Sequence, residues 1–341
     1  MQKNLTAIVL NYGRELEIIK LINFYSQSKI KFIIVDGSSK KKKLKLPKNF
    51  KYFFLPETDT VKRLQFGTTK VHTKYVCIMS DDEFIMENGV DKIINFLEKN
   101  SDIDYSFGVC IGFSFLFNEV VWKIFYQKFL KNFHVTDENP LDRLVYYLKN
   151  NNQGTIVLSI CRINKFRESL KNCQSFFTTP HANELLLTSK MVINGKFKNI
   201  KYLYYLRNNA APPVTTKYHI TSKKIDNLFY NNSIIAKKER IFFFKTIQNE
   251  LKKKNVSINL DKIKKIYYHR FLRGNRPLKL FIAAKKIKSF IPLYIYKKLS
   301  QFYYKMLVWK NFKKFNLLCL NKISYQKSEL KRIMTYLNEN K

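Results

Sequence analysis

Apolar and polar positions alternate in blocks along the first hundred residues. Four short apolar runs predict strands that are buried on both faces, and they cover residues 5–10, 31–35, 52–55 and 75–79. Helical spacing of apolar residues predicts a helix over residues 16–25 and another over residues 90–97. Strands that alternate with helices predict an α/β domain with a mostly parallel sheet.

The middle of the chain continues this alternation up to about residue 207. Its apolar stretches predict strands, and its amphipathic stretches predict helices. The strands are expected over residues 109–121, 155–160 and 201–207, and the helices from residue 142, over residues 162–170 and from residue 182 to Gly195.

Carboxylates follow two of the predicted strands. Asp36 comes after the second strand, and Asp81, Asp82 and Glu83 come after the fourth. Because open α/β sheets bind ligands at the carboxyl edge of their strands, we expect these groups at a ligand site. Three adjacent carboxylates repel one another, and hard oxygen donors suit Mg²⁺ or Mn²⁺ shared with a substrate phosphate. The alternative is that the acidic residues only cap the helix that follows.

The order of these pieces resembles the GT-A glycosyltransferases, and in particular the bacterial branch within or close to glycosyltransferase family 2. The similarity rests on a first strand that ends in Asn11 and Tyr12, a second that ends in Val-Asp-Gly-Ser at residues 35–38, and a later one that ends in Asp-Asp-Glu. It covers about residues 5–210. The resemblance implies a nucleotide-diphosphate-sugar donor whose base is held by Asn11, Tyr12 and Asp36.

The same resemblance assigns the acidic motif. It implies that Asp81 contacts the ribose of the donor, and that Asp82 and Glu83 hold the metal ion that bridges the diphosphate. Glu83 stands where the family has an aspartate, and its side chain reaches one methylene further. A glutamate can still ligate a metal, so the choice of ligand between Asp82 and Glu83 stays open.

A Glu–helix–Gly–strand–Arg succession runs from Glu184 to Arg207 and resembles the acceptor half of these enzymes. It implies that Glu184 is the general base that deprotonates the acceptor hydroxyl. From the residue alone, Glu184 equally suits a helix N-terminus. His219 follows this strand, where such enzymes often supply a late metal ligand. Arg63, Arg143 and Arg207 could meet a donor phosphate, or they could pair with carboxylates or face solvent.

Charge is distributed unevenly over the 341 residues, whose net charge is +38. Residues 217–341 carry 31 basic and 6 acidic groups, or +25, whereas residues 1–108 carry 18 and 13. An aromatic stripe flanked by lysines, between residues 299 and 315, has the composition of an interfacial membrane helix. The alternative is that this stripe packs on the catalytic domain while the lysines reach into water. The lysines at positions 40–43 are interpreted as a solvated loop, with contact to a phosphate as the alternative.

The resemblance implies a GT-A catalytic domain over residues 1–215, with a nucleotide-binding half (1–108) and an acceptor half (109–215). A basic, mainly helical extension follows over residues 216–341. The five cysteines are scattered and form no C-x-x-C pair, which favours reduced thiols in a cytoplasmic protein. The longest segment without a charged residue has 14 residues, too few to span a bilayer.

The function expected from the resemblance is metal-dependent, inverting transfer of a sugar from a nucleotide-diphosphate donor to a glycan or lipid-linked acceptor. The acceptor and the basic extension together suggest cell-surface polysaccharide synthesis at the inner face of the plasma membrane. One alternative is a nucleic-acid-binding protein that uses the basic extension, although no helix-turn-helix, zinc or RRM signature is apparent. Another is a non-catalytic membrane-surface protein on the same fold.

Overall fold

A computed structural model describes residues 2–116, 119–125, 133–150, 154–176, 181–208, 228–229, 233–272 and 327–339. Within these ranges the strands are β1 (Leu5–Asn11), β2 (Lys31–Asp36), β3 (Phe50–Phe54), β4 (Tyr75–Ser80), β5 (Phe84–Ile85), β6 (Tyr105–Leu116), β7 (Glu119–Phe125), β8 (His134–Val135), β9 (Ile160–Arg162) and β10 (Phe197–Asn208). The α-helices are α1 (Glu15–Phe24), α2 (Thr60–Thr69), α3 (Glu87–Lys99), α4 (Pro140–Asn150), α5 (Ile163–Leu170), α6 (His181–Asn194), α7 (Ile234–Lys252), α8 (Leu260–Leu272) and α9 (Lys327–Glu339).

All ten of these strands belong to one sheet. Its main path has the order β3-β2-β1-β4-β9-β6-β10-β5, with β7 paired to β6 and β8 paired to β10. Four pairs are parallel, namely β3-β2, β2-β1, β1-β4 and β6-β10. The other five pairs are antiparallel, so the prediction of a mostly parallel sheet holds for β1 to β4, and beyond them the sheet is mixed, with β6–β10 as its parallel pair. The change begins at β9, a strand of three residues that lies between β4 and β6 and runs antiparallel to both.

The first four strands and helices α1 and α3 occur where the apolar pattern predicts them. Helix α2 was not predicted, because its sequence contains a glycine and three threonines, which are weak helix formers. Two features stabilise it. The carboxylate of Asp59 accepts a hydrogen bond from the Lys62 N–H (2.9 Å) at the helix N-terminus. Val61 and Leu64 are buried where the helix packs on β1 and β2.

Two predictions in the middle of the chain are wrong in detail. Residues 109–121 were expected to form one strand, but they divide between β6 and β7, which pair antiparallel. A continuous apolar run does not mark where a chain reverses. Residues 155–160 were expected to form a strand, but Gly154–Leu158 is a 3-10 helix that packs against α6 and β4. Only the last residue of that prediction, Ile160, lies in a strand.

The helices α7 and α8, which follow residue 233, pack on helices from earlier in the chain. α7 packs on α6, where the ammonium of Lys190 lies 3.6 Å from the carboxylate of Glu250 in a fully buried pair. α8 packs on α7 and α4, and Tyr267 in it donates a hydrogen bond to Ser189 Oγ (2.8 Å). The aromatic stripe at residues 299–315 lies outside the described residues. Among the helices that are described, none is long and apolar enough to cross a membrane.

Candidate functional site

Three of the predicted site residues meet at the carboxyl edge of the sheet. The β1–β2 register places Asn11 beside Asp36, and the β1–β4 register places Leu10 beside Ser80, so that Asp81 follows at the same edge. Sequential order reverses at β1, because β2 lies on one side of it and β4 on the other. Open α/β sheets bind ligands at such switch points.

Asn11 and Arg14 hold the first two carboxylates of the acidic motif. The side-chain amide of the fully buried Asn11 donates to Asp81 Oδ2 (2.5 Å) and to the Arg14 carbonyl (2.9 Å). Arg14 Nη1 lies 3.2 Å from Asp81 Oδ1 and 2.6 Å from Asp82 Oδ2. One guanidinium therefore bridges both aspartates. Gly13, which lies between Asn11 and Arg14 in the chain, has a φ of 67°, a left-handed conformation that glycine adopts without strain.

The electrostatics of this pair show an excess of negative charge. Burial, together with the charge of Asp82, raises the pKa of Asp81 to about 7, despite the opposing effect of Arg14. Burial and the charge of Glu83 raise the pKa of Asp82 to about 6. Arg14 therefore does not fully compensate the two carboxylates, and a further cation at this place would stabilise their ionised forms.

Glu83 is held by different partners from those of the two aspartates. Its Oε2 accepts hydrogen bonds from the Ser80 N–H (3.1 Å) and from the hydroxyl of Tyr205. Its Oε1 lies 3.5 Å from Arg207 Nε. The arrangement follows from the antiparallel β5–β10 register, which pairs Phe84 with Leu206 and so brings Arg207 opposite Glu83. Glu83 thus joins the turn at residues 80–83, the acidic turn, to β10.

Asp36 is fully buried and all its acceptor positions are used. Its Oδ1 accepts from the Ser38 N–H (3.0 Å) and hydroxyl (2.5 Å), and its Oδ2 accepts from Lys42 Nζ (2.7 Å) and the Tyr52 hydroxyl (2.8 Å). A carboxylate offers about four such positions. Burial alone would raise the pKa of Asp36, but the hydrogen bonds from Lys42, Ser38 and Tyr52 outweigh it and lower the pKa.

Lys42 corrects the interpretation of residues 40–43 as a solvated loop. Its side chain is only 7% exposed, and its ammonium donates to Asn11 Oδ1 (2.8 Å), Asp36 Oδ2 and Ser38 Oγ (2.7 Å). Its three N–H donors each have an acceptor. Two residues that the resemblance assigns to the donor's base, Asn11 and Asp36, are therefore joined by a lysine of the same chain.

Tyr12 lies at the rim of this edge and is half-buried. Its hydroxyl donates to Glu57 Oε2 (3.2 Å), and the guanidinium of Arg63 lies 5.7 Å from the centre of its ring. Arg63 is itself buried, and its Nη1 donates to the Asn11 carbonyl (2.5 Å). Arg63 thus supports the end of β1 and the Tyr12 ring.

Glu184 lies in the first turn of α6, as predicted. Glu184 is exposed to solvent, and partial desolvation by the neighbouring protein raises its pKa. The positive charges of Arg207 and His181 act in the opposite direction, and the charge of Glu83 adds to the rise. Glu184 is therefore within electrostatic reach of the acidic turn, with Arg207 acting on both carboxylates.

Arg143 lies in α4, and its side chain holds the end of α6. It is buried, and its Nε and Nη2 donate to the carbonyls of Val192 and Ile193 (2.7 Å each) in the last turn of that helix. Its Nη1 donates to the carbonyls of Asp137 and Glu138 (2.6 and 2.9 Å). Arg143 was expected to contact a donor phosphate, a carboxylate or solvent, but its guanidinium binds main-chain carbonyls instead.

The donor set fits a hard divalent cation in part. Asp81 and Asp82 supply oxygen ligands with surplus negative charge, which Mg²⁺ and Mn²⁺ prefer. Glu83 does not fit, because Tyr205, Ser80 and Arg207 occupy its oxygens. In the described part of the chain, no three His, Cys, Asp or Glu side chains converge as a metal site. His219, the further predicted ligand, lies outside the described residues.

Three residues of the site carried no sequence signal that singled them out. Lys42 is one of four consecutive lysines, and Tyr205 lies in a run of aromatic strand residues. Arg14 belongs to the polar segment at residues 11–14 that follows the first apolar run, and its residue type does not single it out. Its proximity to Asn11 along the chain is the one signal that could have found it.

No protein-family model matches the sequence, and no match was found among curated proteins. Among solved structures, S. aureus TarS 1-349 in complex with UDP-GlcNAc is similar, with a TM-score of 0.52 and 16% identity over 80% of this chain and 74% of that chain. Another S. aureus TarS structure matches with a TM-score of 0.46 and 16% identity over 78% of this chain. The match covers 52% of that second chain, so this chain spans about half its length. The protein therefore shares the fold of S. aureus TarS.

Proposed function

We propose that the protein is a metal-dependent, inverting glycosyltransferase of the GT-A type, close to glycosyltransferase family 2 and of the hexosyltransferase kind. It would move a sugar from a nucleotide-diphosphate donor to a hydroxyl of a glycan or lipid-linked acceptor. The observation that carries this proposal is the meeting of Asn11, Asp36 and the Asp81–Asp82 pair at the switch point of the sheet. The fold supports it, since S. aureus TarS has been solved with UDP-GlcNAc.

On the donor side, Asp81 and Asp82 are the residues that would hold the cation. A divalent cation bound there would neutralise the charge of the departing diphosphate. Arg14 now compensates the same two carboxylates, and its guanidinium is suited to bind phosphate oxygens once it is released from them. Glu83 keeps the turn attached to β10 throughout, through Tyr205 and Arg207.

The base of the donor is proposed to bind at Asn11, Tyr12 and Asp36. Lys42 occupies one acceptor on each of Asn11 and Asp36, and Asp36 has no acceptor position left over. A base that donates to Asp36 must therefore take the place of one of its present donors. Lys42 has more rotatable side-chain bonds than the other donors, Ser38 and Tyr52, so it is the one expected to move aside.

On the acceptor side, Glu184 is proposed as the general base. It reaches solvent at the start of α6, so an acceptor hydroxyl can approach it, and its raised pKa makes it a better proton acceptor than an ordinary glutamate. Proton removal by Glu184 would let the hydroxyl oxygen attack the anomeric carbon from the face opposite the diphosphate. That direction of attack inverts the configuration of the sugar.

The basic extension is proposed to hold the enzyme against an anionic membrane surface at the cytoplasmic side. The support is its net charge of +25 over residues 217–341, which suits anionic lipids. A lipid-linked or surface-glycan acceptor would be found at such a surface. Nucleic acid is not proposed as the partner, because the candidate site is lined by carboxylates.

The experiment that tests the function is a thermal-shift screen of nucleotide-diphosphate sugars with Mn²⁺ or Mg²⁺. We expect at least one donor to raise the melting temperature only when the cation is present, and a donor at about 100 times its Kd stabilises by about 2.7 kcal/mol. The proposal is overturned if no donor gives a shift with either cation. RNA or DNA binding with a steep salt dependence would then support the nucleic-acid alternative.

A further inference from the structure

The C-terminal helix α9 caps the N-terminus of α3. The carboxylate of Glu329 accepts hydrogen bonds from the backbone N–H groups of Glu87 and of Asn88, the latter at 3.1 Å. The first N–H groups of a helix have no partner within the helix, so an acidic side chain from elsewhere can satisfy them. Glu329 is itself buried. A residue close to the C-terminus therefore completes a helix that begins four positions after Glu83.

The same helix packs on the residue that directly follows the acidic motif. The ring of Tyr336 lies 6.3 Å from that of Phe84 and 5.1 Å from that of Phe24, between ring centres. Its hydroxyl donates to the Lys20 carbonyl in α1 (2.6 Å). Ile333, on the same face of α9, is fully buried. Aromatic contacts at these distances contribute beyond the area that they bury.

The segment that leaves the acidic turn is held on its other sides by the main fold. The hydroxyl of Tyr25 bonds both the N–H and the carbonyl of Ile85 (2.8 Å each). The Met86 N–H donates to the Tyr204 carbonyl in β10 (2.8 Å). α1, β10 and α9 thus converge on residues 84–88, and α9 is the one contributed from the far end of the sequence.

We propose that α9 positions the acidic turn, with Tyr336 acting through Phe84 and Glu329 acting through the start of α3. Both are positioning residues, since neither contacts the carboxylates of Asp81 or Asp82. The inference rests on the proposed function for its catalytic meaning, because the turn matters to catalysis only if it holds the donor. The restraint that the helix at residues 327–339 places on residues 80–83 can be measured without any ligand.

The test compares full-length variants by amide hydrogen exchange resolved to the acidic turn. We expect Tyr336→Leu to speed exchange at Ser80 and Glu83 about tenfold, because their backbone N–H groups lie in the turn that Phe84 restrains. Tyr336→Phe loses the hydrogen bond to the Lys20 carbonyl but keeps the ring that contacts Phe84, so exchange in the turn is expected to match the wild type. Lys331→Ala, an exposed position on the same helix, is the matched control and should change nothing.

A second measurement separates the inference from the proposed function. Affinity for UDP-GlcNAc with Mn²⁺ is expected to fall about tenfold in Tyr336→Leu and in Glu329→Ala, which removes the acceptors at the start of α3, at a temperature well below unfolding. Faster exchange in the turn with no donor bound by any variant, the wild type included, would uphold the positioning role and count against the transferase. If exchange at Ser80 and Glu83 is unchanged in Tyr336→Leu, the proposal is overturned and α9 is only a cap on α3.

Discussion

Lys42 donates a hydrogen bond from Nζ to Oδ2 of the buried Asp36 at 2.7 Å. This single contact joins the loop after β2 to the end of the strand itself. Because the same ammonium also reaches Asn11 and Ser38, it holds the ends of β1 and β2 together at the place where a ligand is expected. A buried carboxylate depends strongly on such a partner, since removal of one member leaves an uncompensated charge.

Replacement of Lys42 by methionine should therefore destabilise the fold, by about 3 kcal/mol at neutral pH. The pKa of Asp36 is lowered in the folded protein, so its ionised form stabilises the fold above the pKa of the unfolded chain, and this contribution is lost as pH falls. Lys42→Met raises that pKa and should move acid unfolding to a higher pH. Chemical denaturation across a pH series measures both effects. Lys43→Met, at an exposed position, should match the wild type, and equal stability of both variants would contradict the structural role of Lys42.

Substitutions of Asp82 and of Glu83 should have different effects, because Asp82 is proposed to bind the cation whereas Glu83 binds Ser80 and Tyr205. Asp82→Asn removes a proposed cation ligand, so we expect Mn²⁺-dependent donor affinity to fall at least about tenfold. Glu83→Gln keeps an acceptor for Ser80 and Tyr205, so it should change donor affinity less and the melting temperature more. Titration calorimetry with and without EDTA makes the comparison, and EDTA should abolish donor binding by the wild type. Equal losses of affinity in the two variants would make Glu83 a ligand.

Glu184→Gln should leave donor affinity unchanged and lower kcat by about 10²–10⁴-fold, because it removes only the proton acceptor. In the wild type, kcat should fall as pH drops through the raised pKa of Glu184, since the base must be deprotonated. Arg207 and His181 oppose that rise and Glu83 adds to it, so Arg207→Gln should move the acid limb to higher pH. A pH–rate profile tests this. A Glu184→Gln variant with normal turnover would restrict Glu184 to a role at the helix N-terminus.

How much of this could be predicted from sequence depends on the range of the interactions. The strands β1 to β4 were predictable, because each is a continuous apolar run bounded by polar residues. Their parallel order then brings Asn11, Asp36 and Asp81 to one edge. The strand β9 was not predictable, because three residues, Ile160–Arg162, take their direction from pairing with β4 and β6 rather than from their own sequence.

The same distinction applies within the site. Its acidic residues follow strands and could be identified, whereas their partners come from loops or from remote strands. Of the four lysines at residues 40–43, it is Lys42 whose ammonium binds Asp36, and this depends on the folded position of Asp36. The orientation of Glu83 depends on Tyr205, which lies 122 residues later in the chain. No local pattern contains that information.

Arg143 is a charged residue that could have contacted a donor phosphate but instead stabilises the fold. Its guanidinium donates to four main-chain carbonyls, two of them in the last turn of α6, the helix that begins with the Glu184 turn. A lysine carries the same charge but has one nitrogen, so it cannot reach four acceptors. Arg143→Lys should therefore lower the free energy of unfolding by about 3 kcal/mol while leaving donor affinity unchanged at low temperature. Lys149→Ala, an exposed position on α4, the helix that carries Arg143, is the control, measured alongside by chemical denaturation and calorimetry. If Arg143→Lys has normal stability but binds the donor weakly, Arg143 contacts a phosphate of the donor instead.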